Sequence, residues 1–248
     1  MNFGNMPGSP APMGQPTPMG QPTPMGQPTP MGQPAPMGQP APMGQPAPMG
    51  QPAPMGGVIS LSKGQKIDLS KAAPTLKRAM VGLGWDVNTR VGADFDLDAS
   101  CFLLDANGRA SGIQDFIFYN NLTGGNGSVV HQGDNLTGAG DGDDEQIFID
   151  FDKVPQNIAK IAITVTIFDA ETRRQTFGQV SNAFCRVVNA DTGAETVRYD
   201  LSEDFSIETG IVVVEFYRHN GTWKMGAVGQ GYKDGLAGLA RSYGLNVG

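Results

Sequence analysis

Lys160-Ile161-Ala162-Ile163-Thr164-Val165-Thr166-Ile167-Phe168 is the stretch that decides the fold. Ile161, Ile163, Val165 and Ile167 recur at every second position, with Ala162, Thr164 and Thr166 between them. A period of two sends alternate side chains to opposite faces, so the segment predicts a strand with one apolar face. The same grammar extends outward to Val58–Leu61, Arg78–Trp85, Ala183–Asn189, Glu195–Leu201, Ile211–Arg218 and Thr222–Val228. Phe95 to Leu104 alternates at first and then turns apolar on both faces. The following Asp105-Ala106-Asn107-Gly108 holds an Asn-Gly pair suited to a hairpin, with Ile113 to Tyr119 as the partner strand. Two short helices are expected, one after Pro155 and one from near Asp234, where Leu236, Leu239 and Tyr243 stand at helical spacing. Many short strands with Gly- and Asn-rich connections predict an all-β fold, an antiparallel β-sandwich with one or two short helices, over residues 58–248.

Residues 1–57 obey a different grammar. They contain no Lys, Arg, Asp, Glu or His, yet hold 17 of the 19 prolines and 10 of the 12 methionines. From Met13 to Pro54 the unit Met-Gly-Gln-Pro-(Thr/Ala)-Pro repeats seven times, with Thr in the first three copies and Ala in the last four. Proline removes ladder donors and breaks helices, and the segment lacks the branched and aromatic side chains that offset chain entropy. It predicts a disordered, low-complexity tether of polyproline-II character. A docking segment for a proline-recognising partner, self-association, and Cu(I) ligation by the spaced thioethers stay open as alternatives.

Composition excludes several classes. No run of about 18 apolar residues marks a membrane-spanning helix, and no basic segment followed by an apolar stretch marks a secretory signal. Cys101 and Cys185 lie in largely apolar runs far apart, so buried free thiols and a reducing compartment are expected. The net charge of −7 argues against a nucleic-acid partner, which needs a basic surface.

That charge is localised. Asp86, Asp94, Asp96 and Asp98 face only Arg90 within residues 86–98, and Asp134, Asp141, Asp143, Asp144 and Glu145 face no base within 134–145. The two segments carry a net of −8 and the rest of the domain is close to neutral. Like charges a few ångströms apart repel, and a hard cation with six to eight oxygen ligands removes that cost. Glycines at 138, 140 and 142 let carbonyls turn inward, and Asn135 and Thr137 add neutral oxygens. Strand alternation places Asp94, Asp96 and Asp98 on one face at the beginning of a strand. An EF-hand is excluded, because Ala99 stands where Asp94-x-Asp96-x-Asp98 would need Gly. No Cys or His is grouped with the acids, and His131 reads as a surface or turn histidine. Solvated Asp/Asn/Gly turns are the plain alternative, but two such clusters in one domain favour a divalent cation.

The same residues carry a resemblance. Ile59 to Gln65, Gly82-Leu83-Gly84-Trp85-Asp86, Asp94 to Ser100, Phe118 to Leu122, Ser128 to His131, Gly133 to Gly138, Gly142-Asp143-Asp144-Glu145, Phe177 to Ala183 and the end from Gly221 to Leu245 resemble, in order, the TerD family of bacterial tellurium-resistance and general stress proteins. The resemblance spans 58–248 and leaves out the repeats. It implies a β-sandwich that binds Ca²⁺ through Asp94 and Asp96 at the strand start and Asp134, Asp143, Asp144 and Glu145 in the acidic loop. Asp86 matches the Gly-Trp-Asp turn, and Asp141 falls where the family varies. It also implies protein partners in a stress-response complex, in the cytoplasm or against the inner face of the membrane. One branch of the family is described as binding cyclic AMP.

Three functions compete. The first is a non-enzymatic Ca²⁺-binding stress protein. The second is a carboxylate- or metal-dependent hydrolase, for which no Gly-x-Ser-x-Gly and no Ser or Cys partnered with a His is present. The third is a cyclic AMP module, for which Gly229-Gln230-Gly231 is half of a phosphate loop, with Asp234 where the last glycine is needed. A turn between the last strand and the last helix is the plain reading of those three residues.

Overall fold

Alternation becomes pairing in the computed structural model, which describes residues 57–86, 94–133, 142–201 and 205–246. In chain order the strands are β1 (Ile59–Leu61), β2 (Lys66–Asp68), β3 (Arg78–Gly84), β4 (Leu97–Leu104), β5 (Phe116–Ile117), β6 (Thr123–Gly124) and β7 (Val129–His131). They continue as β8 (Glu145–Asp150), β9 (Lys160–Ile167), β10 (Phe184–Asn189), β11 (Glu195–Asp200), β12 (Gly210–His219) and β13 (Thr222–Tyr232). Three short α-helices, α1 (Leu69–Ala72), α2 (Ala170–Arg173) and α3 (Gly235–Ser242), and three 3₁₀ turns complete the described elements. None is long and apolar enough to cross a membrane.

One sheet runs β1-β11-β10-β3-β8-β7-β6 and the other β2-β13-β12-β9-β4-β5. The expected sandwich is therefore present. All pairings are antiparallel except β1 with β11, where Ile59 meets Val197 and Leu61 meets Tyr199 in parallel. Val81, Leu83, Ile147, Ile149 and Val187 of one sheet share a core with Ala99, Cys101, Leu103, Ile161, Ile163 and Val165 of the other. The doubly apolar reading of β4 has a cause. Its other face carries Phe102 and Leu104, which pack under Leu239, Ala240 and Tyr243 at the end of the chain.

Several expectations are corrected. No helix follows Pro155, where the chain makes one turn with the Ile158 N–H donating to the Pro155 carbonyl at 3.0 Å. Ala159 then donates to the Leu104 carbonyl, and Arg218 takes the Val154 and Ile158 carbonyls, so β9 begins before a helix could propagate. The hairpin partner of β4 is reduced to Phe116–Ile117, because Ile113–Asp115 winds into a 3₁₀ turn. Gly229-Gln230-Gly231 lies inside β13, so it is neither a phosphate loop nor a turn. Asp94 and Asp96 precede β4 and only Asp98 lies in it, so the three do not form one strand face: Asp94 is exposed, Asp96 buried and Asp98 half-buried. Two strands not expected from the sequence, β7 and β8, sit beside the acidic residues. The repeat tail, Asp134 and Asp141 fall outside the described residues.

Candidate functional site

Asp86, Asp143, Asp144 and Glu145 gather where β3 ends and β8 begins. The Asp144 N–H donates to the Leu83 carbonyl at 2.8 Å, extending the β3–β8 ladder by one rung. Its carboxylate accepts the Trp85 N–H at 2.9 Å. Asp86 follows Trp85, is held by its N–H on the Ser181 carbonyl, and accepts Asn182 Nδ2 at 2.5 Å. Residues 59 positions apart thus bring two predicted carboxylates into one neighbourhood. Burial raises the Asp144 carboxyl above its ordinary value, the Trp85 N–H opposes that rise, and the charges of Asp143 and Asp86 add to it. Burial and like charge thus both disfavour the charged form of the Asp144 carboxyl.

Each of three consecutive acids is tied to a different strand or strand end. Asp143 reaches over β3 to β10, where Arg186 Nε meets Oδ1 at 2.7 Å and Nη2 meets Oδ2 at 3.0 Å. Gly82 makes this possible, since a Cβ there would overlap the Asp143 carboxylate. Asp144 takes the end of β3. Glu145 turns inward and crosses to the other sheet, where its Oε2 accepts the Ala99 N–H.

His131 completes that crossing. It is 2 % exposed, which corrects the expectation of a surface or turn histidine. Its Nδ1 accepts the Gly133 N–H at 3.1 Å, so the ring proton belongs on Nε2, which lies 3.1 Å from the Ala99 carbonyl oxygen and donates to it. His131 Nε2 and Glu145 Oε2 are 3.7 Å apart. β5 covers only Cys101 and Phe102 of β4. Glu145 and His131 therefore do at Ala99 what a neighbouring strand would do, satisfying one donor and one acceptor.

The first acidic segment is joined less tightly. Asp96 lies 3.6 Å from Arg173 of α2, and its carbonyl accepts the Phe168 N–H. The Asp94 carbonyl accepts Gln175 Nε2 at 3.2 Å. The structure thus brings Asp86, Asp143, Asp144 and Glu145 to one end of β3 and β8, and places Asp96 against Arg173 of α2 and the Asp94 backbone on Gln175, just beyond that helix. Among the described residues, no three His, Cys, Asp or Glu side chains converge as a metal-binding group. The donor chemistry of the acids suits a hard cation, being carboxylate oxygen throughout. Asp143 and Glu145 already spend oxygens on Arg186 and Ala99.

Arg186, His131, Asn182 and Gly82 were not expected to matter. Their signal is tertiary: Arg186 lies 43 residues from Asp143. The one local signal for such a close approach is the pair of glycines in Gly82-Leu83-Gly84 within a strand. A separate cleft of about 960 Å³ lies at the α2 end of the second sheet, lined by Asp98, Tyr119, Phe168, Arg174, Lys233 and Asp234, among others.

Comparison with known proteins agrees with this architecture. The TerD domain matches residues 57–243. General stress protein 16U of Bacillus subtilis is 62% identical over 191 residues, covering 77% of this chain and 99% of its own length. Tellurium resistance protein TerD of Serratia marcescens is 59% identical over 189 residues, covering 76% and 98%. A solved structure described as a homologue of telluride resistance protein (TerD), from Streptomyces coelicolor A3(2), superposes with a TM-score of 0.56. At 24% identity, over 65% of this chain and 93% of that one, it supports the fold alone. With the domain match and these relatives in agreement, the chain belongs to the TerD family of tellurium-resistance and stress-response proteins.

Proposed function

We propose that this domain binds Ca²⁺ with its two acidic segments and acts in the stress response by assembling with protein partners, without catalysing a reaction. The observation that carries the reading is the Asp144 carboxyl. It is held by the Trp85 N–H yet raised by burial and by the charges of Asp143 and Asp86. A divalent cation would offset that repulsion. Asp86, Asp94, Asp96 and Asp144 would offer oxygens to it, together with Asp134 and Asp141. Asp143 and Glu145 would fix the turn to both sheets, and either could still lend an oxygen to the ion. Ordering of this turn would be felt at β3, β10 and β4 together, which is the change a partner could read.

The relatives' names speak of tellurium resistance and general stress and name no reaction. The buried His131, with both ring nitrogens engaged, makes a poor general base, which supports a non-enzymatic role. The seven proline-rich repeats suit several weak contacts in parallel with a proline-recognising partner, or self-association. We place the protein in the cytoplasm, with the inner face of the membrane as a site of assembly. Calorimetric titration of the full chain with CaCl₂, beside Asp144→Asn, tests the Ca²⁺ reading. Saturable heat in the parent and a weaker response in the variant are expected; flat heats in the parent would end the proposal.

A further inference from the structure

Arg186 stands on β10 directly opposite Gly82 of β3 and opposite Arg198 of β11. Its guanidinium lies between two carboxylates. Nε and Nη2 take both oxygens of Asp143, while Nη1 lies 3.1 Å from Glu195. Glu195 in turn lies 3.7 Å from Arg198, whose own guanidinium sits 3.9 Å above the Phe184 ring. The Asp143 side chain is fully covered, and Gln146 Nε2 approaches Oδ2 at 3.4 Å. A carboxylate in that position needs a positive partner at all times, because burial without one disfavours its charge. The planar fork supplies two parallel hydrogen bonds that a lysine cannot reproduce.

We propose that Arg186 is a resident counter-cation of the acidic turn, a positioning residue that fixes Asp143 as an anchor and sets how strongly the fold depends on an added divalent cation. The inference rests on the Ca²⁺ reading above and deepens it. With Arg186 in place, the Asp143 charge is already neutralised, so that end of the turn is anchored before any ion arrives. Without it, Asp143 adds an uncompensated charge next to Asp144, and the turn must borrow a cation from solution.

The test uses the full chain and its Arg186→Met and Arg186→Lys variants, with thermal melting in EDTA and in CaCl₂. Methionine keeps an unbranched stem and removes the charge; lysine keeps the charge and removes the fork. Arg186→Met is expected to melt lower in EDTA and to recover in CaCl₂, so that its Ca²⁺-induced shift at least doubles relative to the parent. Arg186→Lys is expected to fall between the two. If Arg186→Met does not fold in EDTA, folding on addition of CaCl₂ counts in favour and the Arg186→Lys shift decides. An equal loss with and without Ca²⁺ would reduce Arg186 to an ordinary ion pair and overturn the inference, while leaving the Ca²⁺ reading intact. A shift in Arg186→Met alone would uphold the inference and remove Ca²⁺ as the parent's ligand. No shift in any of the three proteins would end both.

Discussion

The Glu145 carboxylate accepts the backbone N–H of Ala99 on the opposite sheet, and the neighbouring His131 lies on the Ala99 carbonyl. Glu145→Ala would leave that N–H buried and unsatisfied and would open space in the core. A loss of about 2–4 kcal/mol is expected by urea denaturation. Glu145→Gln keeps an acceptor and should lose less. If Glu145→Ala and Glu145→Gln are equally stable, the N–H is not what the side chain serves.

Gly82 has no side chain because Asp143 lies on top of it. Gly82→Ala should cost about 1–3 kcal/mol through that overlap. Combining it with Asp143→Gly should give back most of the strain, so the two changes should not add. Additive losses would mean that the alanine is harmed elsewhere.

Asp105 offers a clean reading of pH, at a distance from the acidic turn. Its carboxylate accepts the Arg109 and Asn107 N–H groups at 2.9 and 2.8 Å, and these bonds hold it below its ordinary value of 3.8. A carboxyl lowered in the folded state stabilises above its unfolded value and loses that contribution as pH falls through its folded one. Asp105→Asn should therefore be less stable than the parent near neutrality, and the gap should close as the pH drops through and below 3.8. A gap that persists at the lowest pH would refute the electrostatic origin.

Both cysteines are free and buried, as their apolar surroundings predicted. Burial, with a smaller push from Asp143, raises the Cys185 thiol to about 12, and burial raises Cys101 as well. Neither should react with iodoacetamide at pH 8 until the chain is unfolded in guanidinium, as followed by mass spectrometry. Rapid labelling of the native protein would show that the core opens locally around one of them.

The long strands were legible because their partners did not need to be known. In β9 and β3 the inward positions are apolar in regular alternation, and in β12 the unbroken apolar run Ile211–Val214 does the same service; both patterns are local. β8 was hidden by its own ends: its inward face holds only two apolar residues, Ile147 and Ile149, after the inward-facing Glu145, and the strand closes on Asp150. The same acids that marked the candidate site were read as loop, although Glu145 opens a strand. The site was legible as charge and not as geometry. Nothing near Asp143 announces Arg186, and nothing near Glu145 announces Ala99, because those partners arrive only when β10 and β4 are in place.

β1 begins two residues after Gly57, and its partner is β11, far along the chain and running the same way. It has no hairpin neighbour to peel away from. A load entering the domain through the repeat segment, along the axis of β1, meets the β1–β11 bonds together in shear instead of opening them one by one. For a pull in that direction, the three pairs Ile59–Val197, Ser60–Arg198 and Leu61–Tyr199 would bear the load side by side.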